Sequence, residues 1–251
     1  MKILEPLWRS RPETASRVRG RIESILDYAK AGGWRDGENP CRWRGHLDKL
    51  LPARAKVRKV EHHAALPWRE IGAFMAKLRE QTSVSASCLQ FLILTACRSG
   101  EVLGSPHMGN SGRPHEGGRE HRVPLSEAAM AVLRHMASVR LYGDSSALIF
   151  PGGRPGKSLS SLSMLKTARA IGGAVTIHGF RSSFRDWCGE ATNFPRELAE
   201  KALAHALSSA VEAAYQRGDM FEKRRKLMGA WADFCGRPAL TGKVVQLNRA
   251  G

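Results

Sequence analysis

Val175-Thr176-Ile177-His178-Gly179-Phe180-Arg181-Ser182-Ser183-Phe184-Arg185-Asp186-Trp187 is the most informative stretch of the chain. Ile177, Phe180, Phe184 and Trp187 recur at helical spacing and predict an inward face. His178 and Arg181, three positions apart, share another face, so polar chemistry and core packing separate along one helix. An isolated His-x-x-Arg reads more simply as a satisfied histidine and a solvated arginine near a helix start. The neighbouring segments decide what it means.

Downstream, Leu203-Ala204-His205-Ala206-Leu207 sets one histidine among apolar residues, and Tyr215 follows in Glu212-Ala213-Ala214-Tyr215-Gln216-Arg217. Taken singly, these are a structural histidine and an ordinary surface tyrosine. Upstream, Cys88 to Cys97 is apolar apart from Gln90 and Thr95. It predicts a buried helix that delivers Arg98 just before Ser99-Gly100-Glu101. Before it, Pro67 suits the first residue of a helix with Ile71, Phe74, Met75 and Leu78 on one face.

Nearer the amino end, Val18, Ile22, Ile25 and Leu26 predict an amphipathic helix over Glu13 to Lys30 with an arginine-marked outer face. Asn39-Pro40 opens a short helical stretch reaching Leu51. Pro52 to Val60, with Arg54, Lys56, Arg58 and Lys59 and little to bury, reads as a basic linker. Gly104 to Gly118 supports no strand, Arg122 to Leu125 and Ala147 to Phe150 read as short strands, and Ser126 caps a helix reaching about Leu141. Helices then dominate from Ser160 to about Phe234. The expected fold class is mainly α with a small β element (α+β), without internal repeats.

The 251 residues are 42% hydrophobic and carry 40 Lys plus Arg against 23 Asp plus Glu, a formal charge of +17. That imbalance points to a polyanionic partner rather than a small metabolite. No apolar run reaches the roughly 18 residues of a membrane span, and Met1 to Ser10 has no signal-peptide core. Cys41, Cys88, Cys97, Cys188 and Cys235 lack zinc or disulfide spacing and read as free thiols in a reducing compartment.

In order along the chain stand Arg98 in Leu94-Thr95-Ala96-Cys97-Arg98-Ser99-Gly100-Glu101, His178-x-x-Arg181, His205 and Tyr215. This series resembles the signature of the tyrosine recombinases, and the first box is similar to the T-x-x-R-x-G-E of prophage integrases. The resemblance extends from the first helix to about Phe234. It implies a tyrosine-recombinase catalytic domain over 67–235, preceded by a partial helical core-type DNA-binding domain over 1–51 and a basic linker over 52–66, with a mobile tail over 236–251.

The implied activity is site-specific DNA recombination or integration through a covalent 3′-phosphotyrosyl intermediate. Tyr215 is then the nucleophile, Arg98 and Arg181 clamp the phosphate, and His178 and His205 supply acid–base help or hydrogen bonds. The partner is double-stranded DNA, touched by Arg54, Lys56, Arg58, Lys59 and Lys157, with a tetramer assembling on DNA if the chain is active. Neither cofactor nor metal is needed. The expected setting is the cytoplasm of a bacterium, at the nucleoid, the chain being bacterial or phage-encoded.

The chain departs from the pattern in two places. Relatives carry a catalytic Lys on a hairpin between the first Arg box and His-x-x-Arg. Here no Lys lies between Lys77 and Lys157, and Glu116 stands near the expected position. The chain also starts close to the last part of the core-type domain, as a truncated prophage integrase would. The alternative expectation is therefore a catalytically defective DNA-binding remnant. A type IB topoisomerase lacks support from the prophage-like boxes. Pro151-Gly152-Gly153-Arg154-Pro155-Gly156-Lys157-Ser158 has Pro where a nucleotide-binding loop needs its first Gly, and His62-His63 lacks a third metal ligand.

Overall fold

A computed structural model describes residues 4–53, 57, 64–104, 121–139, 148–154, 156–205 and 220–237. The chain divides into two compact units, Met1–His62 and His63–Gly251.

In the first unit, α1 (Leu4–Ser10) leads into α2 (Pro12–Ala31), with Pro12 in the first turn where a missing N–H costs nothing. Trp8 and Ala15 are buried with Leu51. The Trp8 ring stacks on Trp43 at a centroid distance of 5.2 Å, and its indole Nε1 donates to Pro52 O at 2.9 Å. The expected helix from Asn39 to Leu51 is reduced to a kinked turn, Trp43–Leu47, and one helical turn, α3 (Asp48–Leu50). Arg44 and Gly45 leave helical geometry there, Gly45 at φ 74°.

The outer face of α2 also differs from expectation. Ile25 is 65% and Ile22 36% exposed, whereas Arg19, at 14% side-chain exposure, turns inward. Arg19 donates to Glu23 and to Cys41 O, Glu23 accepts from Trp43 N, and Asn39 donates to Glu23 O and Asp27. This polar network, rather than the isoleucine stripe, fastens the 32–42 loop to the helix.

The second unit is a helical assembly around α5 (Val84–Thr95), which is apolar on nearly all sides and packs against α4 (Ile71–Arg79), α7 (Glu127–Ser138), α8 (Ser161–Gly172) and α11 (Phe221–Gly236). Ile71, Phe74, Met75 and Leu78 are buried as their spacing predicts. Ser83, Ser126 and Ser160 cap α5, α7 and α8 by accepting from backbone N–H groups one turn in. On α9 (Gly179–Ala191), Phe184 and Trp187 meet Trp231 of α11 at 5.3 and 5.0 Å between ring centroids. Two short helices, α6 (Ser99–Leu103) and α10 (Arg196–Ala202), and a single 3₁₀ turn, Trp68–Glu70, complete the described set.

The described residues are mostly helical and form no strand. Arg122–Leu125, expected as a strand, is held by a side chain instead: buried Arg224 of α11 donates Nη2–H to Arg122 O at 2.6 Å. Leu148–Phe150 forms no strand either, and a lone antiparallel bridge, Pro151 to Ser158, follows it. There Gly152 N donates to Lys157 O and Leu159 N to Phe150 O, so these amides close a turn and are not presented to a phosphate. Among the described residues no helix is long and apolar enough to cross a membrane, and no cluster of metal-ligating side chains forms.

Candidate active site

Arg181 lies in the first turn of α9, where the helix dipole disfavours a cation, and is 4% exposed. Its surroundings compensate. Nη1 donates to Ala96 O at 2.5 Å and Nη2 to Leu203 O at 2.6 Å. These carbonyls end α5 and α10, so the guanidinium sits where two helix C-termini present partial negative charge. Ala96 at φ 51° and Ala204 at φ 49° make those terminal turns left-handed, at about 1–2 kcal/mol each for a residue with a Cβ. Burial lowers the Arg181 pKa, and the positive charge of Arg98 lowers it further. Its Nε meets no acceptor among the described residues.

Arg98 converges on the same turn. It precedes α6, and Glu101 accepts from its backbone N at 2.8 Å and from its Nη1 at 3.1 Å. Its Nη2 donates to Ala204 O at 3.3 Å. The two guanidiniums thus bind consecutive carbonyls, Leu203 and Ala204, of one turn. Between them in sequence, Cys97 is no rival nucleophile: burial pushes its thiol up to about 11.

His205 follows that turn. Ala204 N donates to Lys201 O and His205 N to Glu200 O, the paired bonds of a Schellman end on α10 with Ala in the left-handed position. The imidazole Nε2 lies 3.3 Å from Arg181 Nη2, and Nδ1 lies 2.6 Å from Glu200 Oε2. Glu200 is also bound by Arg185 Nε at 2.8 Å, with Arg196 Nε at 3.9 Å. Burial alone would raise the Glu200 carboxyl, but the hydrogen bonds from Arg185 and His205 outweigh it and hold the pKa below the ordinary value.

His178 is exposed at the residue before α9. The structure therefore brings Arg98, Arg181 and His205 together through the Leu203–Ala204 turn, with His178 at the start of the helix that carries Arg181. Lys157 is exposed on the 151–158 turn. Tyr215, Glu116, Arg54, Lys56, Arg58 and Lys59 lie outside the described residues. Glu200 was not expected at the site: its pairing with His205 depends on the left-handed Ala204, where a glycine would have signalled the helix end.

The start of α9 is fixed from below. Thr176 donates N–H and Oγ1–H to Ala64 O at 3.0 and 3.1 Å, and its Oγ1 accepts from Gly179 N at 3.0 Å. Ser183 Oγ donates to Leu66 O. Ala64 to Leu66, expected as the end of the linker, thus run along α9, and Leu66 joins the core. A Cβ on Gly179 would stand 2.3 Å from Ala64 O and 2.8 Å from Ala65 Cα. Both obstacles are backbone, so Gly179→Ala is expected to destabilise the chain by about 2–3 kcal/mol as an overpacking change. Thermal unfolding would show it as a midpoint lower by roughly 4–12 °C; an unchanged midpoint would contradict the close approach.

Two arginines and a histidine gathered on one turn in a strongly basic chain define a site suited to an anionic group. Comparison with known proteins shows what the chain is similar to. Residues 1–46 match the model of the phage integrase central domain. Prophage integrase IntZ of Escherichia coli (strain K12) is 29% identical over 245 residues, covering 93% of this chain and 58% of that protein. The integrase of Shigella phage Sf6 is 28% identical over 237 residues, covering 88% and 58%. Prophage integrase IntA of Escherichia coli (strain K12) is 36% identical over 131 residues, covering 51% and 30%. Over most of its length the chain is thus similar to prophage and phage integrases, and over its first 46 residues to the phage integrase central domain. It spans less than two thirds of the length of these relatives. No solved structure matches significantly.

Proposed function

We propose that the chain binds double-stranded DNA and carries the strand-cleaving site of a site-specific recombinase, working through a 3′-phosphotyrosyl intermediate. The observation that supports this reading is the convergence of Arg98 and Arg181 on the Leu203–Ala204 turn. The positive charge of Arg98 disfavours the charged form of Arg181, and Glu101 pairs with Arg98 at 3.1 Å. A phosphodiester held against both guanidiniums relieves that repulsion, and its non-bridging oxygens gain charge as a nucleophile attacks.

Tyr215 attacks the phosphorus, its phenolic proton leaves to a base, and the 5′ oxygen departs and takes up a proton. The bond energy stays in the phosphotyrosyl linkage, and a 5′ hydroxyl of a partner strand reverses the step. His178 and His205 serve this proton traffic or bind the phosphate. Arg54, Lys56, Arg58, Lys59 and Lys157 bind the DNA backbone. Residues 1–51 form the core-type DNA-binding domain. Four copies assemble on DNA during exchange.

A second reading, a DNA-binding remnant with weakened catalysis, is favoured by one observation: no Lys lies between Lys77 and Lys157, and Glu116 stands near the position of the family's leaving-group acid. The two readings separate in a single assay. Wild-type chain is incubated with nicked fragments of the chromosome that encodes it, and covalent adduct is measured under denaturing conditions. Slow adduct formation is expected, accelerated about tenfold or more in Glu116→Lys as part of the contribution of a general acid returns. Absence of adduct in both proteins, with binding retained, would leave the remnant reading; rapid wild-type adduct would remove the impairment.

A further inference from the structure

We infer that Glu200 is a positioning residue for His205: its carboxylate fixes the imidazole as the Nδ1–H tautomer and turns Nε2 toward Arg181 and the phosphate site. The inference rests on the recombinase reading for its functional meaning and on geometry alone for the tautomer. Glu200 Oε2 lies 2.6 Å from Nδ1, and Arg181 Nη2 lies 3.3 Å from Nε2. An ionised carboxylate only accepts hydrogen bonds, and a guanidinium only donates them. For the neutral ring both contacts are met in one way, with the proton on Nδ1 and the lone pair of Nε2 facing Arg181.

The arrangement is built into the end of α10. Glu200 and His205 occupy the two ends of the Schellman turn and are brought side by side by the His205 N to Glu200 O bond at 3.0 Å. Glu200 is only 17% exposed on its side chain, and Arg185 from α9 occupies its other oxygen at 2.8 Å. The carboxylate therefore cannot swing to another partner without breaking an ion pair. His205 keeps 37% side-chain exposure, so the ring's edge stays reachable by DNA. Ligating histidines are oriented by partners of this kind through their second nitrogen, and the same logic holds for a histidine that meets a phosphate.

The test uses full-length chain labelled with ¹⁵N at histidine, with the His205 signal assigned by its loss in His205→Asn. Long-range ¹H–¹⁵N correlation above the histidine titration range distinguishes the two tautomers. Wild type is expected to show the Nδ1–H pattern at His205, as is Glu200→Gln, whose amide oxygen still accepts from Nδ1. Glu200→Ala is expected to shift toward the Nε2–H form. In the adduct assay Glu200→Ala should cleave about 10- to 100-fold more slowly at saturating DNA, by analogy with removal of a histidine's orienting partner, with unchanged DNA affinity and with Glu200→Gln near wild type.

An Nε2–H tautomer in wild type overturns the inference even if Glu200→Ala fails to fold. Equal cleavage by folded Glu200→Ala overturns its functional half. The spectrum needs no DNA, so a chain that cleaves nothing would sink the recombinase reading while leaving the tautomer result to stand or fall separately.

Discussion

Tyr215→Phe is expected to abolish covalent capture of DNA while leaving DNA binding within about twofold of wild type. The phenolic oxygen is the atom that bonds to phosphorus in the proposed reaction, and Phe removes that atom alone. Binding depends on different groups: phosphate contacts by Lys and Arg set affinity and make it fall steeply with salt. Wild type and Tyr215→Phe should therefore give parallel binding curves across a salt series, and only wild type should give a band that survives denaturation. An adduct that persists in Tyr215→Phe would move the nucleophile elsewhere. The half-buried Cys97, whose thiol is pushed up to about 11 chiefly by burial, is a poor candidate for that role.

Arg181 substitutions should produce the second large effect, and two variants separate its two jobs. Arg181→Ala removes the donors to Ala96 O and Leu203 O inside the core. Each buried carbonyl left without its partner costs about 1–3 kcal/mol, so a loss near 3 kcal/mol or more is expected in chemical denaturation. Arg181→Lys keeps a charge but loses the planar fork that spans the ends of α5 and α10. It should fold, bind DNA, and cleave about 10²- to 10³-fold more slowly in single-turnover experiments, as for loss of a donor to a developing oxyanion. Near-normal cleavage by folded Arg181→Lys would contradict the clamp.

Much of the helical framework was legible in the sequence. The apolar face of α4, the all-round apolar α5 and the serine cap of α7 each follow from local pattern, because burial of a periodic face is what forms those helices. Arg122–Leu125 was misread because short alternation also fits an extended segment whose carbonyl is claimed from afar. Its partner Arg224 comes from a helix about a hundred residues later, and nothing local announces it. On α2 the isoleucine stripe suggested a core face, yet Ile22 and Ile25 are exposed and the 32–42 loop is fastened through Arg19, Glu23, Asp27 and Asn39.

At the site, local pattern alone left Arg98, Arg181 and His205 unremarkable; their order along the chain carried the reading, and the fold supplies a shared turn that joins them. Glu200 escaped notice because five-residue spacing matches no helical face, and Ala204 conceals the left-handed bend that makes the contact possible. Nothing in the local pattern announces the close approach of Ala64 to Gly179. Both contacts are tertiary, and sequence periodicity has no access to them.

The central claim, that this site forms a covalent bond to DNA through Tyr215, is tested most directly by digesting the trapped adduct with nuclease and protease and locating the residual phosphonucleotide by tandem mass spectrometry. The predicted result is a nucleotide linked through its 3′ phosphate to Tyr215; a 5′ linkage, or attachment to any other residue, would contradict it.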